Sequence, residues 1–257
     1  MAPRLPNAPL LETIFELKWQ LKDPRFGGFV DNNYSLLIGA IRGQLKEKYS
    51  FHEALPQMAM PEEVASYIVQ HRFRRSEGEW PLYQLGPGII TFNQAKDYHW
   101  DSYLSDLKEL ISVFLNEYPK PDTLKLTEIT LRYIDGLNFN YETDNVLSGF
   151  KDNLNIDLNG VENIFSNEKI KLHPLLCNLL FNFPTISPKG VSALSINRGQ
   201  IHGEDGIIIE TAVVSKNNDV PQTEDEIFSW IEESHVITHD LFDKLFAPIM
   251  DEFKREP

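Results

Sequence analysis

Several strand-like segments carry acidic and basic side chains at alternate positions. Successive side chains of a strand point to opposite faces of a sheet, so residues two apart share a face. A face that gathers arginine and lysine can bind an anion or an acidic peptide, because these side chains match carboxylate and phosphate groups. The same charges can instead form cross-strand ion pairs that need no ligand. The candidate ligand-binding residues are Glu12, Glu16, Lys18, Arg72, Arg74, Glu128 and Arg132.

This alternation resembles the Glu-x-Glu-x-Lys strand of the triphosphate-tunnel enzymes, which binds metal ions and phosphate. Each matching segment lacks one carboxylate: Ile14 replaces the leading glutamate of the first, and Thr130 replaces the middle glutamate of the second. A divalent cation held by oxygen ligands loses charge compensation when a carboxylate is missing. A phosphate- or triphosphate-binding enzyme of the tunnel type is therefore the alternative, and the sequence predicts no catalytic residues, no metal site and no cofactor.

Two histidines one helical turn apart, His235 and His239, form the other cluster with ligand-like spacing. Such a pair can bind zinc when carboxylates share its face, as Glu232 and Asp243 would here. The residues between them do not form a His-Glu-x-x-His motif, which favours a hydrogen-bonded His235 in an interface over a metal ligand. The sequence His-Trp-Asp at 99–101 either frames a small pocket or anchors the start of a helix.

The motifs of common nucleotide enzymes and serine hydrolases do not occur in the sequence. It contains no phosphate-binding loop, no Gly-x-Gly-x-x-Gly turn and no Gly-x-Ser-x-Gly elbow. The single cysteine, Cys177, excludes an intrachain disulfide framework and a multi-cysteine zinc site. Its apolar surroundings predict an unreactive thiol.

The elements that must position these residues follow the same order twice. The first half predicts a strand over 11–19, a helix over 34–49, a strand over 66–75, a hairpin over 82–94 and a helix that ends before Pro119. The second half predicts a strand over 124–135, a helix over 144–154, strands near 175–183, 191–201 and 206–214, and a helix from Thr223 to about 246. We interpret the two halves, 1–120 and 121–257, as duplicated βαβββα units; one sheet without internal symmetry is the alternative.

Short hairpins between the strands favour antiparallel pairing. The predicted fold is α+β: tandem βαβββα units forming a curved, mostly antiparallel sheet with the helices on one face, as in a pseudo-twofold saddle or half-barrel. We expect the two units to be fused into one structural domain. Odd-numbered strand residues should face the helices, while even-numbered ones, including Arg72 and Arg132, should point into one open hollow.

Composition narrows the classes of partner. The 257 residues carry 24 Lys plus Arg against 38 Asp plus Glu, a formal net charge of −14, and 42% of residues are hydrophobic. Such a chain is neither disordered nor fibrous, and its acidity argues against nucleic acid as a partner. No apolar run approaches the roughly 18 residues of a membrane span, and the first residues lack the apolar core of a secretory signal. The sequence therefore predicts a cytoplasmic protein with no membrane association.

Three segments carry a family resemblance: the N-terminal PNAPLLETIFE of 6–16, the LRYID of 131–135, and the stretch from Trp80 to Trp100. They resemble the signatures of a sporadically distributed, functionally uncharacterised prokaryotic family of similar length. The resemblance spans most of the chain and carries over no catalytic residues. Its patchy distribution implies mobile genes, such as those of defence or toxin–antitoxin systems.

These observations together predict a non-enzymatic cytoplasmic interaction protein. It would bind a partner protein or a small acidic ligand on the open sheet face. In its specific form, the prediction is an accessory or antitoxin-like component of a defence system. The identity of the partner and the oligomeric state stay open at this point.

Overall fold

The computed structural model describes residues 5–21, 23–25, 28–31, 33–61, 64–171 and 174–255. The strands are β1 (Leu10–Trp19), β2 (Asp23–Arg25), β3 (Gly28–Val30), β4 (Phe51–Ala54), β5 (His71–Arg74), β6 (Leu82–Gly86), β7 (Ile89–Gln94), β8 (Leu126–Asn138), β9 (Leu179–Thr185), β10 (Gly190–Ile201) and β11 (Glu204–Lys216). The α-helices are α1 (Tyr34–Leu45), α2 (Trp100–Glu117), α3 (Val146–Leu154), α4 (Val161–Ile164), α5 (Glu224–Leu245) and α6 (Met250–Phe253).

Nine strands form one antiparallel sheet in the order β4-β5-β6-β7-β1-β8-β11-β10-β9, and β2 pairs with β3 separately. The leading strands of the two halves, β1 and β8, lie side by side in the middle, with Phe15 opposite Leu131 and Glu16 opposite Thr130. The order is linear, so the sheet is not closed and β4 and β9 are its edges. The predicted α+β fold with an antiparallel sheet is confirmed.

The first half contains more strands than the sequence pattern predicted. The hairpin β2–β3 and the short strand β4 are additional, and the strand predicted over 66–75 begins only at His71. The reason is local: Tyr67 has a φ of 61°, a left-handed conformation that an extended strand cannot contain. The division into units at 120 and the duplication itself stay predictions.

The helices pack on the sheet face formed by odd-numbered residues of the central strands. Phe15, Leu17 and Trp19 of β1 are fully buried against a core that includes residues of α1, α2 and α5. A second core brings residues of β10 and β11 together with α3, α5 and α6. Burial of apolar surface at roughly 25 cal/mol per Å² makes this face the main source of stability. The opposite, even-numbered face is called the open face below.

The long helix α5 begins as its sequence predicts. The carboxylate of Glu226 accepts a hydrogen bond of 3.1 Å from the backbone N–H of Thr223, which closes the capping box. The helix then runs across β8 and β11 and reaches α2, so it brings His235 to the sheet centre.

Candidate functional site

The predicted charged residues of β1 and β8 lie on the open face, as expected, and they pair with one another. Lys18 Nζ lies 2.6 Å from Glu128 Oε1, and the second oxygen of Glu128 lies 2.8 Å from Lys216 Nζ. Lys18 Nζ also lies 4.0 Å from Glu16 Oε2. We call the residues of this part of the open face the charged cluster: Glu16, Lys18, Glu128, Arg132, Glu210 and Lys216.

Arg132 is the least satisfied member of the charged cluster. Its Nη2 lies 4.0 Å from Glu16 Oε2 and its Nε lies 3.5 Å from Glu210 Oε1. The Nε atom is buried and makes no hydrogen bond with the described residues. Glu12, farther along β1, accepts a 2.8 Å hydrogen bond from Asn93 Nδ2.

Arg72 and Arg74 also lie on the open face, but they form a second, separate group at β5. Arg74 Nε donates to Glu53 Oε2 at 2.8 Å, and Arg72 Nε donates to Gln84 Oε1 at 3.1 Å. Strands β6, β7 and β1 lie between β5 and β8, so the two groups are four strand spacings apart. At about 4.8 Å per spacing, this is ~19 Å across the sheet. Arg72 and Arg132 therefore lie on the same open face but belong to different networks, and the single hollow that they were expected to share stays a prediction.

The helix side of the sheet contains a second candidate site, to which the sequence pointed only through His235 and the segment 99–101. A cavity of about 380 Å³ lies where the N-terminal end of α2 and the middle of α5 meet β8 and β11. Its lining includes Tyr98, Trp100, Tyr133, Asp135, His235 and Phe242. We call it the Asp135 cavity.

Asp135 itself is 2% exposed and lies on the sheet face that the helices cover. Among the described residues, no donor is hydrogen-bonded to its carboxylate in the structure. Burial raises the pKa of this carboxyl from 3.8 to about 7. A buried carboxylate is ordinarily paired or hydrogen-bonded, since removing it from water costs several kcal/mol or more.

Next to Asp135, three side chains form a hydrogen-bonded chain. The hydroxyl of Tyr133 lies 2.9 Å from the hydroxyl of Tyr98 and 2.9 Å from Nδ1 of His235. The imidazole of His235 stacks on the indole of Trp100 with ring centroids 3.6 Å apart. Burial lowers the pKa of His235 to about 4, with a further lowering from His239, so the ring is neutral near pH 7.

Comparison with known proteins identifies no family for this chain. No protein-family model and no curated protein sequence matches the chain. The family resemblance of its N-terminal and central segments stays a prediction.

The described residues contain no group of three or more His, Cys, Asp or Glu side chains placed to hold a metal ion. They also contain no helix with the length and apolarity needed to cross a bilayer.

The sequence carried a signal for this cavity. In β8 the alternation that turns Ile129, Leu131 and the partly buried Tyr133 towards the helices continues to Asp135, so an acidic residue occupies a position that faces the core. His235 was expected to be hydrogen-bonded in an interface, and it is. The His-Trp-Asp sequence at 99–101 was expected either to anchor the start of a helix or to frame a small pocket. It does both, because α2 begins at Trp100 and all three residues line the cavity.

Proposed function

We propose that the Asp135 cavity binds a small organic cation that carries N–H donors on an apolar or aromatic body. The observation that supports this is the carboxylate of Asp135, buried at the cavity wall without a donor from the described residues. An ionised carboxylate in such a place is stabilised by a cation that also donates hydrogen bonds. An ammonium, amidinium or guanidinium group supplies both.

The walls of the cavity favour the same class of ligand. Trp100, Tyr98, Tyr133 and Phe242 offer aromatic surface, and aromatic rings attract cations through their electron-rich faces. Asp101 adds a further carboxylate to the lining. The lining residues that the structure describes include the carboxylates of Asp97, Asp101 and Asp135 and no lysine or arginine, which favours a cation over an anion.

The volume of the cavity and the chemistry of its lining both fit a compact molecule. A cavity of about 380 Å³ lies within the range of small-molecule sites, which are mostly apolar with a few polar groups that fix orientation. The chain from Tyr98 through Tyr133 to His235 holds the wall in one arrangement. We propose no reaction for this site.

Isothermal titration calorimetry at pH 8 with three matched probes tests the proposal. Tyramine carries the ammonium group, tyrosol replaces it with a hydroxyl, and 4-hydroxyphenylacetate replaces it with a carboxylate. We expect tyramine to bind at least tenfold more tightly than tyrosol and 4-hydroxyphenylacetate not to bind. The variant Asp135→Asn should lose the preference for tyramine, because the charge that distinguishes the probes is gone.

Glu210→Gln is the matched control, since it removes a carboxylate from the open face and should leave tyramine binding unchanged. Equal affinity for tyramine and tyrosol would contradict the proposal. So would a preference for the amine that survives in Asp135→Asn, or the absence of tyramine binding at millimolar concentration.

A second candidate function is the predicted binding of a partner protein or acidic ligand on the open face. The observation that favours it is Arg132, whose side chain is 30% exposed and lies 4.0 Å from Glu16 and 3.5 Å from Glu210, longer than a hydrogen-bonded ion pair. An incoming carboxylate or carbonyl group would accept hydrogen bonds from the exposed part of this guanidinium group.

Pull-down with the purified products of flanking genes tests this second candidate. Arg132→Gln should lose capture of a binding partner. Arg72→Gln, in the separate group at β5, should retain it. Loss of capture in both variants, or in neither, would contradict a site at Arg132. The defence-system role and the triphosphate enzyme stay predictions, the latter tested by calorimetry with a nucleoside triphosphate and Mg²⁺.

A further inference from the structure

The two edges of the sheet differ in length and charge. Edge strand β4 has four residues and carries Glu53, which pairs with the neighbouring arginines of β5. Edge strand β9 has seven residues, and the segment 174–188 around it contains no Asp, Glu, Lys, Arg or His. Natural proteins usually protect a sheet edge with charges, because its free N–H and C=O groups otherwise pair with another strand.

The β9 edge is also strongly apolar on its exposed surface. Leu180 is 68% exposed and Phe183 is 64% exposed, and Leu175, Leu176 and Ile186 beside them are exposed as well. By the register with β10, Leu180 lies on one face of β9 and Phe183 on the other. Exposed apolar side chains gathered at one edge of a sheet often mark an interaction surface. The edge thus combines backbone groups ready for pairing with side chains that gain from burial.

We propose that β9 pairs antiparallel with β9 of a second copy of this chain, so that the two sheets become continuous. A twofold axis would relate the two copies, so that each contributes the same edge, as in an isologous interface. Each copy carries a net charge of −14, so the repulsion between two copies is smallest when the surfaces that meet are uncharged. Segment 174–188 is such a surface.

The composition of the edge argues for a second copy over a partner of opposite charge. A basic partner would be met by acidic residues, and this segment offers none. Pro184 has no N–H, which confines complete pairing to Leu179–Phe183. Full overlap of that segment with its own copy places Phe181 opposite Phe181 of the second copy.

Sedimentation equilibrium of the full chain, from 1 to 100 µM, measures the association. We expect a monomer–dimer equilibrium and an at least tenfold rise in the dimer dissociation constant in Leu180→Glu, which places two like charges at the seam. Leu36→Glu is the matched control, because Leu36 on α1 is 65% exposed and α1 packs on α2 in the first core, whereas Leu179 of β9 packs on the second core. It should leave the dissociation constant unchanged.

Site-directed cross-linking tests the geometry independently. In a Cys177→Ser background, Phe181→Cys should form a covalent dimer with a short bis-maleimide at low micromolar concentration, and Leu36→Cys should not. A wild-type chain that is monomeric at 100 µM overturns the proposal. So does a dimer that Leu180→Glu leaves intact, or one that only Leu36→Cys cross-links.

Discussion

The charged cluster of the open face and the Asp135 cavity lie on opposite sides of β8 and treat carboxylates in opposite ways. The carboxylate of Glu128 in the charged cluster pairs with two lysines: Lys18 Nζ at 2.6 Å and Lys216 Nζ at 2.8 Å. Asp135, seven residues along the same strand, lies buried among aromatic rings without a donor from the described residues. Among the described residues, the carboxylate that faces solvent is therefore paired, and the buried one has no partner, where pairing would stabilise it most.

The pKa values of the two carboxyls express this difference. Burial by itself raises the pKa of Glu128, but hydrogen bonds from Lys18 and Lys216 lower it below its usual value. For Asp135, burial acts alone and the pKa rises from 3.8 to about 7. The native state thus binds the Asp135 proton more tightly than the unfolded chain does. Its contribution to stability is fully present below pH 3.8 and is lost as the pH rises through 7.

The largest expected effect comes from removing the Asp135 charge. As the pH rises from 3.8 to about 7, the stability lost through Asp135 is on the order of 4 kcal/mol, because a shift of one pKa unit corresponds to about 1.4 kcal/mol. Asp135→Asn should therefore raise the free energy of unfolding at pH 8 by about 1–3 kcal/mol, since the amide keeps part of the burial cost. Urea denaturation from pH 4 to pH 8 should show the gain growing with pH.

His235 does not disturb this comparison, although its own protonation lowers stability as the pH falls from 6.5 towards 4. The histidine is present in both proteins, so its contribution cancels in the difference. The titratable groups that line the cavity with Asp135 are Asp97, Tyr98, His99, Asp101, Tyr133, His235 and His239. Destabilisation of Asp135→Asn at pH 8 would show that the carboxylate stabilises the fold, and it would remove the argument for a ligand.

A smaller effect is expected from breaking the hydrogen-bonded chain beside Asp135. Tyr133→Phe removes the hydroxyl that joins Tyr98 to His235 and leaves both groups without that partner. We expect a loss of about 2 kcal/mol in the free energy of unfolding, measured by urea denaturation at pH 7. Tyr141→Phe is the control, because the Tyr141 hydroxyl is buried without a partner among the described residues and its removal should cost nothing. Equal losses in the two variants would contradict a specific role for the chain.

The same comparison shows what the sequence could and could not predict. Period-two alternation in β1 and β8 placed Glu16, Lys18 and Arg132 on the open face correctly, because register along a strand is a local property. The distance between Arg72 and Arg132 depends on strand order, which brought β6, β7 and β1 between them. The cavity depends on the placement of α2 and α5 over β8, so Tyr98, Asp135 and His235, far apart in sequence, could not be recognised as neighbours.

The smallest expected effect comes from the charged cluster itself, where Lys18 and Glu128 are both partly exposed to solvent. Water screens such a pair, so the coupling free energy in a double-mutant cycle of Lys18→Met and Glu128→Gln should be about 0.5–1 kcal/mol. Added salt, up to 1 M, should reduce it further. Glu128 retains Lys216 when Lys18 is removed, which also limits the loss in the single variant. A coupling above about 3 kcal/mol would mean that the open face is desolvated in solution. Glu128 and Asp135 would then both lie in low-dielectric surroundings, and the contrast between a solvated and a buried carboxylate would not hold.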